Sequence, residues 1–390
     1  MSIAIIIIVC TLLLTAYIFD LTSSKTKIPS VILLLILGWS ARCLSDFFSV
    51  SVPDLSPLLS VFGTIGLILI VLEGSLELEL KSDKFAMIKK SFWVSILPLF
   101  AMAFLLSFLF SYYGNFNFKD SLTNAIPFCV ISSAIAIPSV KLLNAYNKEF
   151  VIYESSFSDI IGVTFFNFVA LNETFGLHAF GNFFMELAII AVISFIATIA
   201  LAFLLTKIEH HTKFAPIILG VILIYAVSKV YHLPGLIFIL VFGLFLGNLD
   251  ELRHVKWIEK LKPAELDLEV HKFKELTTEA TFLVRSVFFL LFGYLIKTNE
   301  LLNTDTMIWS LIIVAGVLTL RALFLKLSKL PLNPLLFIAP RGLISVLLFL
   351  SIKKEHSISI VNNSLLIQII VLTAVIMMLG LMAYRKEEVS

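Results

Sequence analysis

Long apolar segments, separated by short polar ones, run along the whole chain. Each is near 20 residues long, about the length that an α-helix needs to cross roughly 30 Å of hydrocarbon. The pattern divides into about thirteen such segments: about 3–19, 28–44, 57–78, 91–112, 121–143, 149–170, 182–206, 214–230, 233–249, 279–297, 307–327, 334–352 and 363–384. It predicts an all-α polytopic membrane protein in which residues 1–390 form one transmembrane domain, with no separate soluble domain.

The fifth and the twelfth of these segments are interrupted by proline. The fifth contains a pair of prolines that bracket two serines, and the twelfth contains Pro340 and Gly342. Proline removes a backbone donor and clashes with the preceding turn, so we expect both helices to break inside the membrane. Simple proline kinks are the alternative. One broken span in each half is the pattern of transporters built from inverted repeats, which would here cover about residues 1–170 and about 214–384.

Basic residues between the segments are unevenly distributed, which predicts the orientation. With the N-terminus placed outside, loops on the inner side hold about 19 Lys and Arg, and loops on the outer side hold about 6. We therefore expect the N-terminus outside and the C-terminus in the cytoplasm, in the inner (plasma) membrane of a bacterium. The longest loop, about residues 250–278, is charged, and we expect a surface helix there.

Composition argues against the other broad classes of protein. Hydrophobic residues make up 59% of the chain and charged residues 14%, whereas soluble domains carry about 25% charge. The three cysteines show no CxxC spacing, so neither a disulfide framework nor a structural metal site is indicated. No nucleotide-binding or nucleophile motif lies on a plausible soluble element. We therefore expect no enzyme chemistry, no cofactor and no nucleic-acid partner, and membrane lipid as the surroundings.

Ionisable residues inside apolar segments are the strongest functional signal, since a charge at the bilayer centre costs at least roughly 2.5–3.5 kcal/mol. Six candidates stand out: Glu73, Glu154, Asp159, Arg285, Arg321 and, at a predicted helix break, Arg341. Asp159 lies near the middle of the sixth segment, four residues after Ser155, so the two side chains share a helix face. Gly162 leaves room beside them. This polar notch favours a cation and proton site over a structural carboxylate held by a neighbouring cation.

The other charges have structural as well as functional interpretations. Glu154 and Arg321 lie at comparable depth in segments that run in opposite directions, and pairing would neutralise both. Arg285 is near the start of its segment and can extend to the inner interface or take part in function. Glu73 ends an apolar run, where a membrane-boundary carboxylate and a site residue are equally consistent with the sequence.

Several of these segments together resemble monovalent cation/proton antiporters of the sodium/proton exchanger type, in their NhaP-like branch. "ESSFSD" resembles the E-S-x-F-N-D stretch of that family, and "APRGLISVLL" its R-G-x-x-S segment. "LILIVLEGSLEL" is similar to its L-E-G-L-E segment. "HLPGLIFILVFGLFLGN" and "SVFFLLFG" are similar to its proline–glycine span and its F-F-x-x-x-G span. The matches occur in order along nearly the whole chain, and they are specific only in combination.

The resemblance implies roles for particular residues. Asp159 would bind the monovalent cation and the proton in alternation, and Glu154 would pair with Arg321. Serine oxygens would line the site, namely those of Ser155, Ser158, Ser132 and Ser133. Glu73, Arg285 and Arg341 are possible accessory residues. A core bundle would rock against a scaffold that forms a homodimer.

Two departures from the family pattern bear on the cation and on the charge moved. The Asn before the key Asp is Ser158 here, and "SSAIAIP" stands in place of the T-D-P of the fifth span, as in relatives of the potassium-efflux branch. Electrogenic relatives are understood to have a second Asp before the key one. We therefore expect electroneutral 1:1 exchange of Na⁺ for H⁺. K⁺ or Li⁺ as the cation, a channel without obligatory coupling, and a membrane-embedded sensor are the alternatives.

Overall fold

The computed structural model describes residues 2–26, 28–50, 52–141, 143–172, 176–208, 213–252 and 263–384. Across these residues every regular element is a helix. The α-helices are α1 (Ser2–Thr26), α2 (Ser30–Phe47), α3 (Ser56–Glu77), α4 (Phe85–Gly114), α5 (Phe118–Ala125), α6 (Ser133–Ser139), α7 (Ala145–Leu171), α8 (Leu177–Lys207), α9 (Phe214–Val230), α10 (Leu236–Gly247), α11 (Leu249–Leu252), α12 (Pro263–Leu295), α13 (Thr298–Leu301), α14 (Thr304–Leu327), α15 (Leu343–Leu350) and α16 (Asn363–Ala383). Short 3₁₀ turns lie at Ser82–Lys84, Ile126–Phe128, Leu335–Phe337 and Lys354–His356.

This architecture confirms the predicted all-α membrane fold. Within the described residues, nine helical segments are long and apolar enough to cross a membrane. The remaining predicted segments correspond to shorter helices, α9 and α10, to the interrupted stretch that contains α15, and to α7, which is long but carries several polar residues. The exact number of thirteen crossings stays a prediction.

The charged stretch at about 250–278 differs from the expected surface helix. Residues 253–262 lie outside the described part of the chain, but α12 begins at Pro263 and continues without interruption to Leu295. Charged residues 263–278 are therefore the first half of the tenth span rather than a separate element. Good helix formers such as Glu, Leu and Lys dominate this stretch, so nothing local stops the helix before the apolar run begins.

Packing divides the helices into two groups. In the first, which we call the scaffold group, α2, α3 and α10 pack closely against α12 or one another, with α1, α8 and α9 around them. In the second, the core group, α4 packs against α5, α7 and α14, α6 packs against α7, and α16 packs against α14. The two groups meet where α3 contacts α6, α7 and α15. The first predicted repeat supplies α1, α2 and α3 to the scaffold group, the second supplies α9, α10 and α12, and α8 lies between the repeats in the sequence. The two-fold relation between the repeats stays a prediction.

Glycines allow the closest helix contact in the scaffold group. A Cβ atom added to Gly38 of α2 would lie 2.3 Å from the carbonyl oxygen of Leu290 in α12. A Cβ atom added to Gly293 of α12 would lie 2.4 Å from the carbonyl oxygen of Leu35 in α2. Both distances are far below a van der Waals contact, so α2 and α12 touch backbone to backbone, as small residues allow in membrane helices.

Both predicted helix breaks are present. The first lies between the 3₁₀ turn that ends at Phe128 and the start of α6 at Ser133, and the second lies between the turn that ends at Phe337 and the start of α15 at Leu343. The broken segments cross, because the backbone N–H of Ser132 donates a hydrogen bond of 2.9 Å to the carbonyl oxygen of Pro340. A backbone group freed at one break is thereby satisfied at the other.

Not every proline of the fifth span marks the break itself. Pro127 lies inside the 3₁₀ turn, but Pro138 lies inside α6, one residue before its end. Pro138 has no N–H to donate to the preceding turn, and α6 ends one residue later. The interruption lies between Pro127 and Pro138, as the sequence predicts.

Charged side chains pair with each other at both ends of the helix bundle. At one end of the bundle, Lys84 after α3 pairs with Glu149 of α7 at 2.8 Å. At the other end, Asp120 of α5 pairs with His356 after α15 at 2.7 Å. Which end faces outside stays a prediction. Some of the basic residues on which it rests lie outside the described residues, namely Lys27, those within 253–262, Arg385 and Lys386.

Candidate functional site

Asp159 lies near the middle of α7, at the point where the first helix break crosses it. Its side chain has no exposed surface. Carboxylate oxygen Oδ2 accepts a hydrogen bond from the hydroxyl of Ser133, the first residue of α6. The other oxygen, Oδ1, has no hydrogen-bond partner among the described residues. Asp159 is thus a buried carboxylate with one oxygen held and one oxygen open.

The break packs tightly onto α7 on both sides of Asp159. The hydroxyl of Ser158 accepts a hydrogen bond of 2.9 Å from the backbone N–H of Ile131, which has no helical partner at the break. A Cβ atom added to Gly162 would lie 2.3 Å from a methyl carbon of Val130. The expectation that Gly162 leaves open space beside Asp159 is therefore wrong, because Val130 fills that space. Glycine at this position allows the break to lie directly against α7.

The serine hydroxyls near the site differ in what they donate to. Ser155 donates to the carbonyl oxygen of Val151 at 2.7 Å, so its hydroxyl hydrogen is directed along its own helix, while its oxygen keeps lone pairs. The hydroxyl of Ser132, at the break, has no partner among the described residues. Asp159 Oδ1 and Ser132 Oγ are therefore two buried oxygens at the break without a hydrogen-bond partner among the described residues.

Two further serines were not predicted from the sequence to be site residues. The hydroxyls of Ser156 and Ser345 are buried and also lack a partner within the described part of the chain. Ser156 precedes Asp159 by three residues and faces α3, since its oxygen would lie 3.5 Å from a Cβ atom added to Gly74. Both serines belong to the motif segments that carry the family resemblance. Their place in these segments is the sequence feature from which they could have been predicted.

Glu154 and Arg321 meet inside the core group. Arg321 Nη1 donates to Glu154 Oε1 at 2.6 Å and Nη2 donates to Oε2 at 2.9 Å, which is the two-pronged geometry typical of strong arginine–carboxylate pairs. Arg321 Nε donates to the carbonyl oxygen of Leu335 at 2.7 Å. Both side chains are almost fully buried. The pair joins α7 to α14 and to the second broken segment.

Arg341 connects the two breaks. Its Nε donates to the carbonyl oxygen of Phe128 at 2.8 Å, Nη2 to that of Cys129 at 3.2 Å, and Nη1 to that of Ala339 at 2.7 Å. Its backbone N–H donates to the hydroxyl of Thr373 on α16. The positive charge therefore balances carbonyl oxygens that the interrupted helices leave unpaired. Within the described residues, its ring of acceptors is made of backbone oxygens.

Glu73 and Arg285 form a second charged region, where α3 packs against α12. The charge of Arg285 acts on Glu73, which also hydrogen-bonds with the side chain of Thr278. Arg285 is only 7% exposed. This low exposure places Arg285 inside the protein, where α12 packs against α3, and its extension toward the inner membrane interface stays a prediction.

Asp159 differs from Glu154 in its electrostatic surroundings. Glu154 is paired with Arg321, and Arg341 donates to the carbonyl oxygens of the breaks. Within the described part of the chain, no basic side chain forms an ion pair with Asp159. A buried ionised carboxylate without a counter-charge is unstable. The site can therefore take up a positive ion, whether a proton or a metal cation.

Comparison with known proteins is decisive about the family. The family model described as "Sodium/hydrogen exchanger, transmembrane" matches residues 9–383. The chain belongs to this family. It is therefore an integral membrane transporter rather than an enzyme, and its class of activity is cation/proton antiport. The resemblance inferred from the motif segments is confirmed.

Solved structures agree with this exchanger in fold. The structure of the sodium proton antiporter MjNhaP1 from Methanocaldococcus jannaschii at pH 8 is 18% identical, covers 98% of this chain and 96% of its own, and superposes with a TM-score of 0.68. A second structure, the electron-microscopy map of the same antiporter, is 21% identical, covers 98% and 95%, and has a TM-score of 0.70. No curated protein matches the sequence significantly.

Removing one partner of the Glu154–Arg321 pair should destabilise the exchanger strongly. Arg321→Ala leaves a buried carboxylate uncompensated, so we expect a loss of about 3–5 kcal/mol. Adding Glu154→Gln should recover part of this loss. Thermal unfolding of the detergent-solubilised single and double variants measures both effects.

A matched control is provided by a solvent-exposed pair. Lys353 and Glu355 lie 3.7 Å apart and are each 67% exposed, so Lys353→Ala should change the unfolding temperature little. If the effects of the Arg321 and Glu154 substitutions simply add in the double variant, the two residues do not stabilise the protein as a pair.

Proposed function

We propose that this exchanger moves Na⁺ in one direction and H⁺ in the other by letting the two ions compete for Asp159. The observation that carries the proposal is the burial of Asp159 without a basic partner in the described part of the chain. A charge in this position must be neutralised. One proton or one monovalent cation does so equally well, and binding of either one removes the reason to bind the other.

Oxygen atoms suited to a small hard cation surround this carboxylate. Asp159 Oδ1 and the hydroxyl of Ser132 are buried and lack partners within the described residues. Ser133, Ser155 and Ser158 each make a hydrogen bond but keep at least one lone pair. Together with carbonyl oxygens at the break, they offer the carboxylate, hydroxyl and carbonyl donors that alkali cations accept. The cation in this proposal is cargo rather than a resident cofactor.

Alternating access would come from movement of the core group against the scaffold group. Asp159 lies in the core group, and α3 of the scaffold group covers that face of α7. A small shift of the core group would expose the site to one side or the other, as in other transporters with broken helices at the midplane. The scaffold group would then stay fixed against a second copy of the chain in a homodimer, with lipid around both.

Asp159→Asn should abolish Na⁺-driven proton flux, because an amide cannot take up and release a proton in exchange for a cation. The amide is nearly the same size, so folding should be preserved. Proton movement in proteoliposomes on addition of Na⁺ measures this, with the thermal unfolding profile as the test of folding. The exposed carboxylate of Asp305, at the start of α14, supplies the control Asp305→Asn, which should retain flux. Exchange at the wild-type rate in folded Asp159→Asn protein would contradict the proposal.

K⁺ is the second candidate cation, and the "SSAIAIP" segment of the fifth span favours it because the potassium-efflux branch has a serine-containing version there. Adding Na⁺, K⁺ and Li⁺ in turn to the same proteoliposomes identifies the cargo. Cation flux without opposite proton movement would show a channel instead of an antiporter.

The same contacts argue for electroneutral exchange. The residue before Asp159 is Ser158, and a serine hydroxyl does not release a proton in the physiological range. Glu154 is held by both nitrogens of the Arg321 fork and therefore stays ionised throughout the cycle. One titrating group remains, which gives one proton for one monovalent cation. No net charge would cross the membrane in a complete cycle.

Membrane voltage should therefore leave the exchange rate unchanged. The potential across proteoliposomes can be set with valinomycin and K⁺ gradients, and Na⁺-driven proton flux measured at two voltages. Empty liposomes under the same gradients give the leak to be subtracted. A flux that changes with voltage, or a sustained current on a Na⁺ jump over a solid-supported membrane, would show that more than one proton moves per cation.

A further inference from the structure

A polar cavity of about 260 Å³ lies at the Leu171 end of α7, between α7, α8 and the turn that joins α9 to α10. Most of its lining is polar, although the chain is 59% hydrophobic. The polar side chains that line it are Thr164, Asn167, Asn172, Asn182, Glu186 and His232. In the predicted orientation this is the outer end of the bundle.

Two of the polar side chains of this cavity donate to their own helix. Thr164 donates its hydroxyl hydrogen to the carbonyl oxygen of Ile160 at 2.6 Å, and Asn172 donates through Nδ2 to that of Phe168 at 2.8 Å. Thr164 therefore offers a ligand its hydroxyl oxygen, and Asn172 offers its amide oxygen together with one remaining N–H. Acceptor oxygens collected in one cavity suit a cation rather than an anion.

Glu186 supplies the negative charge of the cavity. It is half-buried on α8, one helical turn after Asn182, so the two side chains share a face. The nearest basic group that acts on it is His232, in the turn after α9. Within the described part of the chain, Glu186 and His232 are not joined by an ion pair, and His232 acts on Glu186 only at a distance.

A second cavity, of about 170 Å³, lies beside the first, on the side nearer to Asp159 along α7. It shares Thr164 and Asn167 with the first cavity and extends along α7 as far as Val163, which is one helical turn from Asp159. At 1.5 Å rise per residue, Asn167 lies about 12 Å from Asp159 along the helix. Lys229, Lys353 and His356 line the far wall of this second cavity. The carboxylate and amide oxygens of the first cavity are thus the more favourable place for a cation.

We propose that the cavity around Glu186 is an accessory cation site, in which a partly hydrated monovalent cation waits before it reaches Asp159. The inference rests on the proposed function in taking the exchanger's own cargo as the ligand. Its volume holds an ion and several waters at about 30 Å³ per water. A single carboxylate with amide and hydroxyl oxygens suits a monovalent ion, and the described residues contain no group of three acidic, His or Cys side chains for a tighter metal site.

Glu186→Gln should raise the apparent KM for Na⁺ by about three- to tenfold when Na⁺ is offered on this side of the membrane, because the cavity loses the charge that concentrates cations. The maximal rate and the KM from the opposite side should stay unchanged. Proteoliposomes of sorted orientation separate the two sides. Glu355→Gln, which removes an exposed carboxylate predicted for the same side, is the control and should not change either KM. An unchanged KM, or an equal rise on both sides, would overturn the accessory site.

Equilibrium binding separates this inference from the proposed function. Asp159→Asn protein lacks the proposed central carboxylate, so radioactive Na⁺ that it still binds must lie elsewhere. We expect weak residual binding that disappears in the Asp159→Asn/Glu186→Gln double variant. If Asp159→Asn protein binds no Na⁺, or if the double variant binds as much as the single one, the accessory site is wrong even where Asp159 proves essential for exchange.

Discussion

The need to neutralise charge inside a low-dielectric interior organises the core group. Two carboxylates lie five residues apart on α7, and they have different partners. Glu154 forms a two-pronged ion pair with the guanidinium of Arg321, whereas Asp159 hydrogen-bonds only with Ser133 within the described part of the chain. The first arrangement is permanently neutral as a pair and stabilises packing. The second would be neutral only with a mobile ion bound, which is what the proposed exchange site requires.

The broken helices make this asymmetry possible. They bring backbone carbonyls and short side chains to the depth of Asp159, and Arg341 compensates the carbonyl oxygens that would otherwise be unpaired. All three guanidinium nitrogens of Arg341 donate to backbone oxygens, and within the described part of the chain Arg341 forms no ion pair with Asp159. Val130, packed against Gly162, holds the first break directly on α7. The packing around the site is therefore close, and the proposed movement is placed at the boundary between the core and scaffold groups.

Much of this organisation could be predicted from the sequence, because the cost of placing charge in hydrocarbon is large compared with other signals. Glu154, Asp159 and Arg321 stand out in apolar segments, and the prolines mark the interrupted spans. The hydroxyl directions of Ser155 and Ser158 could not be predicted, since each depends on which backbone atom the fold leaves within reach. The position of Arg285 depends in the same way on the packing of α12 against α3.

The sequence pattern also did not predict that α12 is one continuous helix, because a charged run between apolar segments is typical of a loop. Charged residues that are good helix formers extend a membrane helix into water without any change in backbone geometry. The unpartnered hydroxyls of Ser156 and Ser345 could not be predicted for a different reason. A serine in a membrane helix usually hydrogen-bonds to the backbone of its own helix. Only the structure shows that these two hydroxyls are left without partners among the described residues.

The central claim is that proton and cation use one carboxylate in turn, and competition kinetics test it most directly. The apparent KM for Na⁺ should be measured from flux in proteoliposomes at successive pH values one unit apart. With one shared site, lowering the pH should raise KM by up to about tenfold per unit while the maximal rate at saturating Na⁺ stays constant. A maximal rate that falls with pH at constant KM would show that protons and Na⁺ bind at separate sites, and would contradict the account.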